Sequence, residues 1–386
     1  MEVPQDIGFE IFSWLPAKSI CKFKSTCNTF SKFSEETLFR KKQTQNLFGR
    51  DDTCLFIQSD EVSQRYIPKR IELYSLPKHQ ESSGAPSNVL SFLSKNTTSV
   101  IASSNGLVLC HNINDPLKVF ICNPITKSWS FIPIPESLQI NNNFANAKLM
   151  LHCSLDDYKV YFLFENTMEW NPTYTCSVYH GKEGVWKTME RCFLPGGRDM
   201  KFDMPVFYNG ALHFISNSGE YYERPSPFYK PYIMSYNLEN GISTMFRLPR
   251  EAIRDCHRPC NNMGIFNWGK ASNSNGSICL VKLRKSTFTV WYLRDYESCS
   301  WEKVFKMRVR AMGLKEKDLD VTSFTVVNGN LLVFATNERV YSCGLDDKRF
   351  MVIEEICQHN CGFNPHFISY LDTYRSCGIN AKTMPC

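Results

Sequence analysis

Four short stretches of this chain repeat one pattern: SSNGLVLC (103–110), YNGALHFIS (208–216), SNGSICLV (274–281) and VNGNLLVF (327–334). Asn-Gly suits the two positive backbone angles of a two-residue hairpin turn, and each copy runs on into an apolar, strand-like segment. A degenerate fifth copy, DDYKVYFL (156–163), falls midway between the first two. Successive copies are then roughly 52, 52, 66 and 53 residues apart, a period that matches propeller blades. A single sheet of this kind cannot cover its own apolar faces. It must stack on its neighbours.

A second element follows each copy: KVFICNPITKSWSFIPIP (118–135), CSVYHGKEGVWKTME (176–190), IMSYNLENGISTMFRLP (233–249), VWYLRDYESCSWEKV (290–304) and RVYSCGLDDKRFMVI (339–353). Each is a β run, a polar turn and then a large apolar residue such as Trp129, Trp186, Trp301 or Phe350, which reads as the two outer strands of a blade. CLFIQSD (54–60) and RIELYSLP (70–77) look like an incomplete first blade. HFISYLD (366–372) would complete it and leave no open sheet edge. The expectation is an all-β propeller of about six blades over residues 53–378, followed by a C-terminal tail at 379–386. Seven blades, or a pair of β-sandwiches, are the alternatives.

Composition agrees with strands and a large core: 43% of the 386 residues are hydrophobic, with 28 Phe and 17 Tyr. The net charge of +6 arises from 44 basic and 38 acidic side chains spread along the chain, too diffuse to imply a nucleic acid or membrane partner. Seventeen cysteines are an odd number in a long chain. With no apolar h-region after Asp6 and Glu10, they read as reduced, packed thiols of an intracellular protein. No run reaches the roughly 18 apolar residues of a membrane helix.

The first 45 residues differ in character. Ile7, Ile11, Phe12 and Leu15 form a helical stripe that starts after Pro4 and ends at Pro16. Ile20, Phe23, Cys27 and Phe30 form a second, and a third helix fits 35–43, with Glu35 and Glu36 at its start and Arg40, Lys41 and Lys42 at its end. So small a unit buries little apolar surface by itself, leaving Trp14 and Leu15-Pro16 as candidate anchors for a partner, or else the unit is an ordinary helical cap on the next domain.

The ungapped stretch VPQDIGFEIFSWLPAKSICKFKSTCNTF (3–30) resembles an F-box, matching at Pro4, Asp6, Ile7, Glu10, Ile11, Leu15-Pro16, Lys18-Ser19, Phe23, Cys27 and, further on, Phe39. It departs at Gly8, where a large aliphatic is usual, and at Phe30, where plant members carry Trp. SSNGLVLC and VFICNPITKSW are similar to the F-box-associated, kelch-like domain of plant F-box proteins. The resemblance implies a small all-α, three-helix F-box (1–45), a linker (46–52) and a kelch-like β-propeller. It further implies that Pro4, Ile7, Ile11, Leu15, Pro16 and Phe23 dock a Skp-type adaptor and, through it, a cullin–RING ubiquitin ligase. The propeller would then select the target, in the nucleus or cytoplasm, with no cofactor and no chemistry of its own.

The other candidates are weighed on their residues. NSGEYYERPSPFYKPY (217–232) mixes Tyr221, Tyr222, Arg224, Phe228 and Tyr229 with three prolines and is the best candidate target-binding loop, or else a cover for its own blade. Cys256, His257 and Cys260 with Cys357, His359 and Cys361 could supply a zinc site, but C-x3-C is not diagnostic and no metal is expected. No P-loop, nucleophile elbow or H-E-x-x-H motif is present. A binding propeller without a ligase, and a propeller enzyme with a cryptic site, are the rival readings.

Overall fold

The computed structural model describes residues 4–24, 28–59, 71–77, 93, 98–112, 115, 118–135, 147–166, 172–217, 226, 228–254, 261–269, 276–314, 316, 319–345, 353–361, 364–378 and 381–383. Strands β1 (Cys54–Gln58) and β2 (Ile71–Ser75) open the first blade. The second holds β3 (Thr98–Ser104), β4 (Leu107–Asn112), β5 (Val119–Asn123) and β6 (Ser128–Phe131), and the third β7 (Lys148–Cys153), β8 (Tyr158–Glu165), β9 (Tyr174–His180) and β10 (Val185–Thr188). The fourth holds β11 (Val206–Tyr208), β12 (Ala211–Ile215), β13 (Tyr232–Asn237) and β14 (Ser243–Arg247). The fifth holds β15 (Asn261–Trp268), β16 (Ser277–Arg284), β17 (Thr287–Asp295) and β18 (Ser300–Arg308). The sixth holds β19 (Ser323–Val327), β20 (Leu331–Ala335), β21 (Arg339–Gly344) and β22 (Ile353–Gln358). Finally β23 (His366–Tyr370) pairs antiparallel with β1, so the chain's end closes the blade that its start opened. The ring has six blades, and the two-sandwich alternative falls. Residues Lys382–Thr383 form β24 on the outer edge of β6.

Ring closure explains the pattern of apolar residues. In β16, Ile278 and Leu280 point into the core shared with blade four, whereas Cys279, Val281 and Leu283 point into the core shared with blade six. Both faces of a middle strand are therefore buried, which makes it read as a continuous apolar run. The outermost strands have one open face and are mostly exposed, as in β10 and β14. Six such interblade cores run round the ring, the last joining Val333 and Val340 of blade six to Leu55 and Ile57 of β1. Two of the expected outer aromatics add a polar tie. Trp186 Nε1 donates to Pro133 O at 2.6 Å and Trp301 Nε1 to Arg247 O at 3.0 Å, each reaching the blade before its own.

Two Asn-Gly pairs make the expected two-residue turns with positive φ, Asn105-Gly106 and Asn209-Gly210, and Asn328-Gly329 turns with positive φ in a three-residue connection between paired Val327 and Leu331. The fourth does not. Trp268 pairs with Ser277, so residues 269–276 separate the strands. Blade five instead makes its two-residue turn at Lys285-Ser286, where both residues take positive φ between paired Arg284 and Thr287.

The helical module contains four described helices rather than three: α1 (Gln5–Ser13), α2 (Ala17–Lys24), α3 (Asn28–Phe33) and α4 (Thr37–Asn46). Cys27 and the side chain of Phe30 lie outside the described residues. α4 runs past the expected end at residue 43, so Arg40–Lys42 sit in its middle and its last turn holds no basic residue. A one-turn helix, α5 (Arg250–Ile253), follows β14. The long polar loops expected around 77–98 and 137–147 lie largely outside the described residues.

Candidate protein-docking site

α1 is amphipathic in two directions. Ile7, Ile11 and Trp14, spaced by four and three, share one face, and Ile7 and Ile11 are 51% and 54% exposed. Gly8 and Ser13 are buried on the other side, where Phe9 meets Phe33 and Phe39 edge-on at 5.5 and 5.3 Å. The apolar stripe read from the sequence therefore splits. Phe12 and Leu15 pack inward, Ile7 and Ile11 face outward, and Phe9, outside that stripe, is a core residue. Gly8 leaves no side chain on the buried face at the position where an F-box usually carries a large aliphatic.

Polar contacts hold this face in place. Lys42 of α4 pairs with Glu10, whose carboxyl is held below the usual range chiefly by that hydrogen bond. Asn46 Nδ2 donates to Ser13 Oγ at 2.7 Å. Trp14 donates to Glu10 Oε1 at 3.3 Å, and the Arg50 guanidinium lies 5.6 Å from its ring centre. Of the expected docking residues, Pro4, Ile7, Ile11 and Phe23 are exposed and Leu15 and Pro16 half-buried. Phe23 joins α1 through an edge-on contact with Phe12 at 5.1 Å.

The opposite side of the module is closed by the propeller. Tyr374, 4% exposed, fills a core with Ala17, Ile20, Phe33 and Phe39, and Ile125 packs beside it. Gln43 bridges the two parts, its Nε2 donating to Leu15 O at 3.2 Å and its Oε1 accepting from Tyr374 N at 3.0 Å. The segment carrying Tyr374 is tied across three blades. Thr53 Oγ1 donates to Asp372 at 2.8 Å, Thr373 Oγ1 to Asn105 O at 2.9 Å, and Arg375 to Ser154 O and Asp157 O at 2.6 Å. Nothing local in the sequence marks Gln43 or Tyr374, because they meet across most of the chain.

On the propeller, Tyr221, Tyr222 and Arg224 lie outside the described residues. Phe228 and Tyr229 are half-buried, and Phe228 packs on the core shared by blades three and four. Buried Arg198 gathers this loop, donating to Phe228 O at 2.5 Å, to Asn217 O at 2.9 Å and to Tyr229 O. Phe228 thus covers its own blade. Cys256, His257 and Cys260 are outside the described residues. Both ring nitrogens of His359 meet backbone groups, Nε2 at 3.0 Å from Thr336 O and Nδ1 accepting from Cys361 N at 3.4 Å. Among the described residues, no three His, Cys, Asp or Glu side chains group as metal ligands.

The titratable groups are those of a packed interior. Burial pushes the Cys176, Cys357 and Cys377 thiols up to about 12, which favours their protonated form. His213 is buried with Nε2 2.9 Å from the Tyr296 hydroxyl, and burial pushes its pKa down to about 4. Among the described residues no helix is long and apolar enough to cross a membrane.

Residues 69–369 match the family model described as F-box protein At3g26010-like, beta-propeller, and residues 2–42 match that of the F-box domain. The chain belongs to this family of F-box propeller proteins. F-box protein At5g49610 of Arabidopsis thaliana is 21% identical over 321 residues, covering 80% of each chain. Putative F-box protein At3g23950 of the same plant is 23% identical over 241 residues, covering 56% of this chain and 54% of its own. A solved six-bladed beta-propeller lectin of the fungus Aleuria aurantia is 12% identical, covers 69% of this chain and 78% of that one, and has a TM-score of 0.34.

Proposed function

We propose that this F-box propeller protein is a substrate receptor of a Skp–cullin–F-box ubiquitin ligase. Its helical module would dock a Skp-type adaptor, and its propeller would hold the protein to be ubiquitinated. The observation that carries this reading is the outward apolar face of α1. A module whose inner side is already filled by Tyr374 and Ile125 still exposes Ile7, Ile11 and Trp14 together. Burying each half-exposed isoleucine against a partner contributes about 1 kcal/mol or more, at about 25 cal/mol per Å². The receptor would carry no chemistry itself; it would raise the target's local concentration beside the ligase. We assign the propeller to the kelch-like type and the protein to the nucleus or cytoplasm as parts of the same reading.

The test is co-purification with a Skp-type adaptor. Leu15 also packs against the module's core and Pro16 is half-buried, so the cleaner perturbation is Ile7→Asp/Ile11→Asp, on the open face. The wild type should bind, and the double variant should lose at least about tenfold in affinity while keeping its helical signal. Failure of the wild type, or equal binding by the variant, removes the ligase reading and leaves a propeller that binds a partner without one.

A further inference from the structure

Strand β6 is the outermost strand of blade two, and among the described residues it alone of the outermost strands carries a further strand on its edge. That cover is partial. Thr383 pairs with Ser128 and Lys382 with Trp129, while Ser130 and Phe131 have no described partner on that side. A ladder of two residues is short against the roughly five or six of an ordinary strand, and Lys382 is exposed. The chain is held firmly only before it, at buried Cys377, whose carbonyl accepts from Tyr158 Oη at 2.9 Å and whose Sγ lies 3.4 Å from Ser128 O.

The side chains along this edge also differ from those of other blades. Trp129 stands where Trp186 and Trp301 do in theirs, but its buried Nε1 has no hydrogen-bond partner, and the Lys382 ammonium lies 5.9 Å from its ring centre. Phe131, two residues on and on the same face, meets that ring edge-on at 4.7 Å and is 51% exposed. The edge therefore presents one aromatic ring taken by a cation and, beside it, another left open.

We propose that the edge of β6 is a strand-addition site for an extended segment of a partner protein, and that residues 382–383 are its self-occupant. In the antiparallel register set by Lys382 and Trp129, the residue two before the cation stands opposite Phe131. A partner segment reading apolar-x-Lys or apolar-x-Arg fits both rings, with its cation over Trp129 and its apolar side chain in a cross-strand pair with Phe131. This chain has Asn380 two residues before Lys382, so it supplies the cation without the apolar side chain. A better-matched segment displaces it, and pairing that continues along Ser130 and Phe131 adds main-chain hydrogen bonds. The site needs neither the adaptor nor the ligase.

The test is fluorescence anisotropy with the full chain and a labelled peptide, Gly-Ser-Leu-Ala-Lys-Thr-Gly-Ser. Wild type should bind it at least about fivefold more tightly than the same peptide with Asn for Leu, and binding should fall at least about fivefold with Glu for Lys. Lys382→Pro removes a backbone N–H and the cation of the self-occupant, and should tighten binding at least about fivefold by ending the intramolecular competition. Phe131→Ser, at a half-exposed position, should remove the preference for Leu over Asn and leave the need for Lys. Hydrogen exchange locates the peptide. In Lys382→Pro, amides of Ser128–Phe131 should gain protection when it binds, and those of β10 should not. No binding by either protein, equal binding of the Leu and Asn peptides, unchanged affinity in Lys382→Pro, or protection gained at another edge overturns the proposal. So does dimerisation of Lys382→Pro without peptide, which assigns the edge to a second copy of this chain.

Discussion

Replacing Tyr374 by Ala tests whether the propeller completes the core of the helical module. The ring lies in a buried aromatic group with its centre 6.4 Å from that of Phe39, and its hydroxyl is 3.6 Å from Cys21 Sγ. The backbone N–H of Tyr374, which donates to Gln43, survives the substitution, so the change removes the ring alone. Emptying a site of this size costs about 3–5 kcal/mol when the walls do not collapse. A module of roughly 45 residues has only about 2–7 kcal/mol at 0.05–0.15 kcal/mol per residue, so the loss is comparable to all of it. Native-state hydrogen exchange reads this directly. Amides of α1–α4 should lose about two to three and a half decades of protection, at 1.4 kcal/mol per decade, while those of blades three to six keep theirs. Tyr374→Phe retains the ring and should cost less than about 1.5 kcal/mol. Unchanged protection in α1–α4 would refute the shared core. Equal loss in every blade would show that Tyr374 supports the ring and not the module.

Three further outcomes follow from single contacts. Gly329 has φ +67° and a Cβ there would lie 2.0 Å from Gly269 O, whereas Gly210 has φ +70° and open space. Gly329→Ala should therefore lower the urea midpoint well beyond the effect of about 1 kcal/mol expected for Gly210→Ala, and equal shifts would contradict the close approach. Trp301→Phe removes the bond to Arg247 O and should cost about 0.5–1.5 kcal/mol in urea unfolding, with no measurable loss counting against an interblade tie. The His213 ring has its pKa pushed from 6.5 to about 4 by burial, so the folded ring stays neutral where the unfolded one takes a proton. Its contribution is complete above pH 6.5 and falls by up to about 3 kcal/mol as pH drops to 4; His213→Gln should flatten that part of the stability profile.

The blades were legible because their signals are local. A two-residue turn needs positive φ at adjacent positions, and Asn105-Gly106 and Asn209-Gly210 advertise it; Asn328-Gly329 has the same angles in a three-residue turn. The closing strand HFISYLD was legible for a related reason, since a first blade with two strands lacks a partner. Where the signal was also local but weaker, it misled. Asn275 lies outside the described residues, and the pairing of Trp268 with Ser277 gives that connection eight residues, whereas Lys285-Ser286 turns the chain without either favoured residue.

Sequence alone determined the repeat, the helical module ahead of it, and an amphipathic α1 with Ile7 and Ile11 four residues apart. Only the tertiary structure decided which side of that helix is left open. Periodicity reports that a residue has apolar neighbours along one face, not whether that face is already covered. The cover here is Tyr374 with Ile125, brought in from the propeller and bridged by Gln43. The basic face of blade five divides in the same way: alternation puts Lys306 and Arg308 on one face of a strand, but only pairing through Thr289 and Thr287 of β17 sets Lys282 and Arg284 on that face too. Contacts between residues far apart in the chain carry no local signature, and the candidate docking face depends on them.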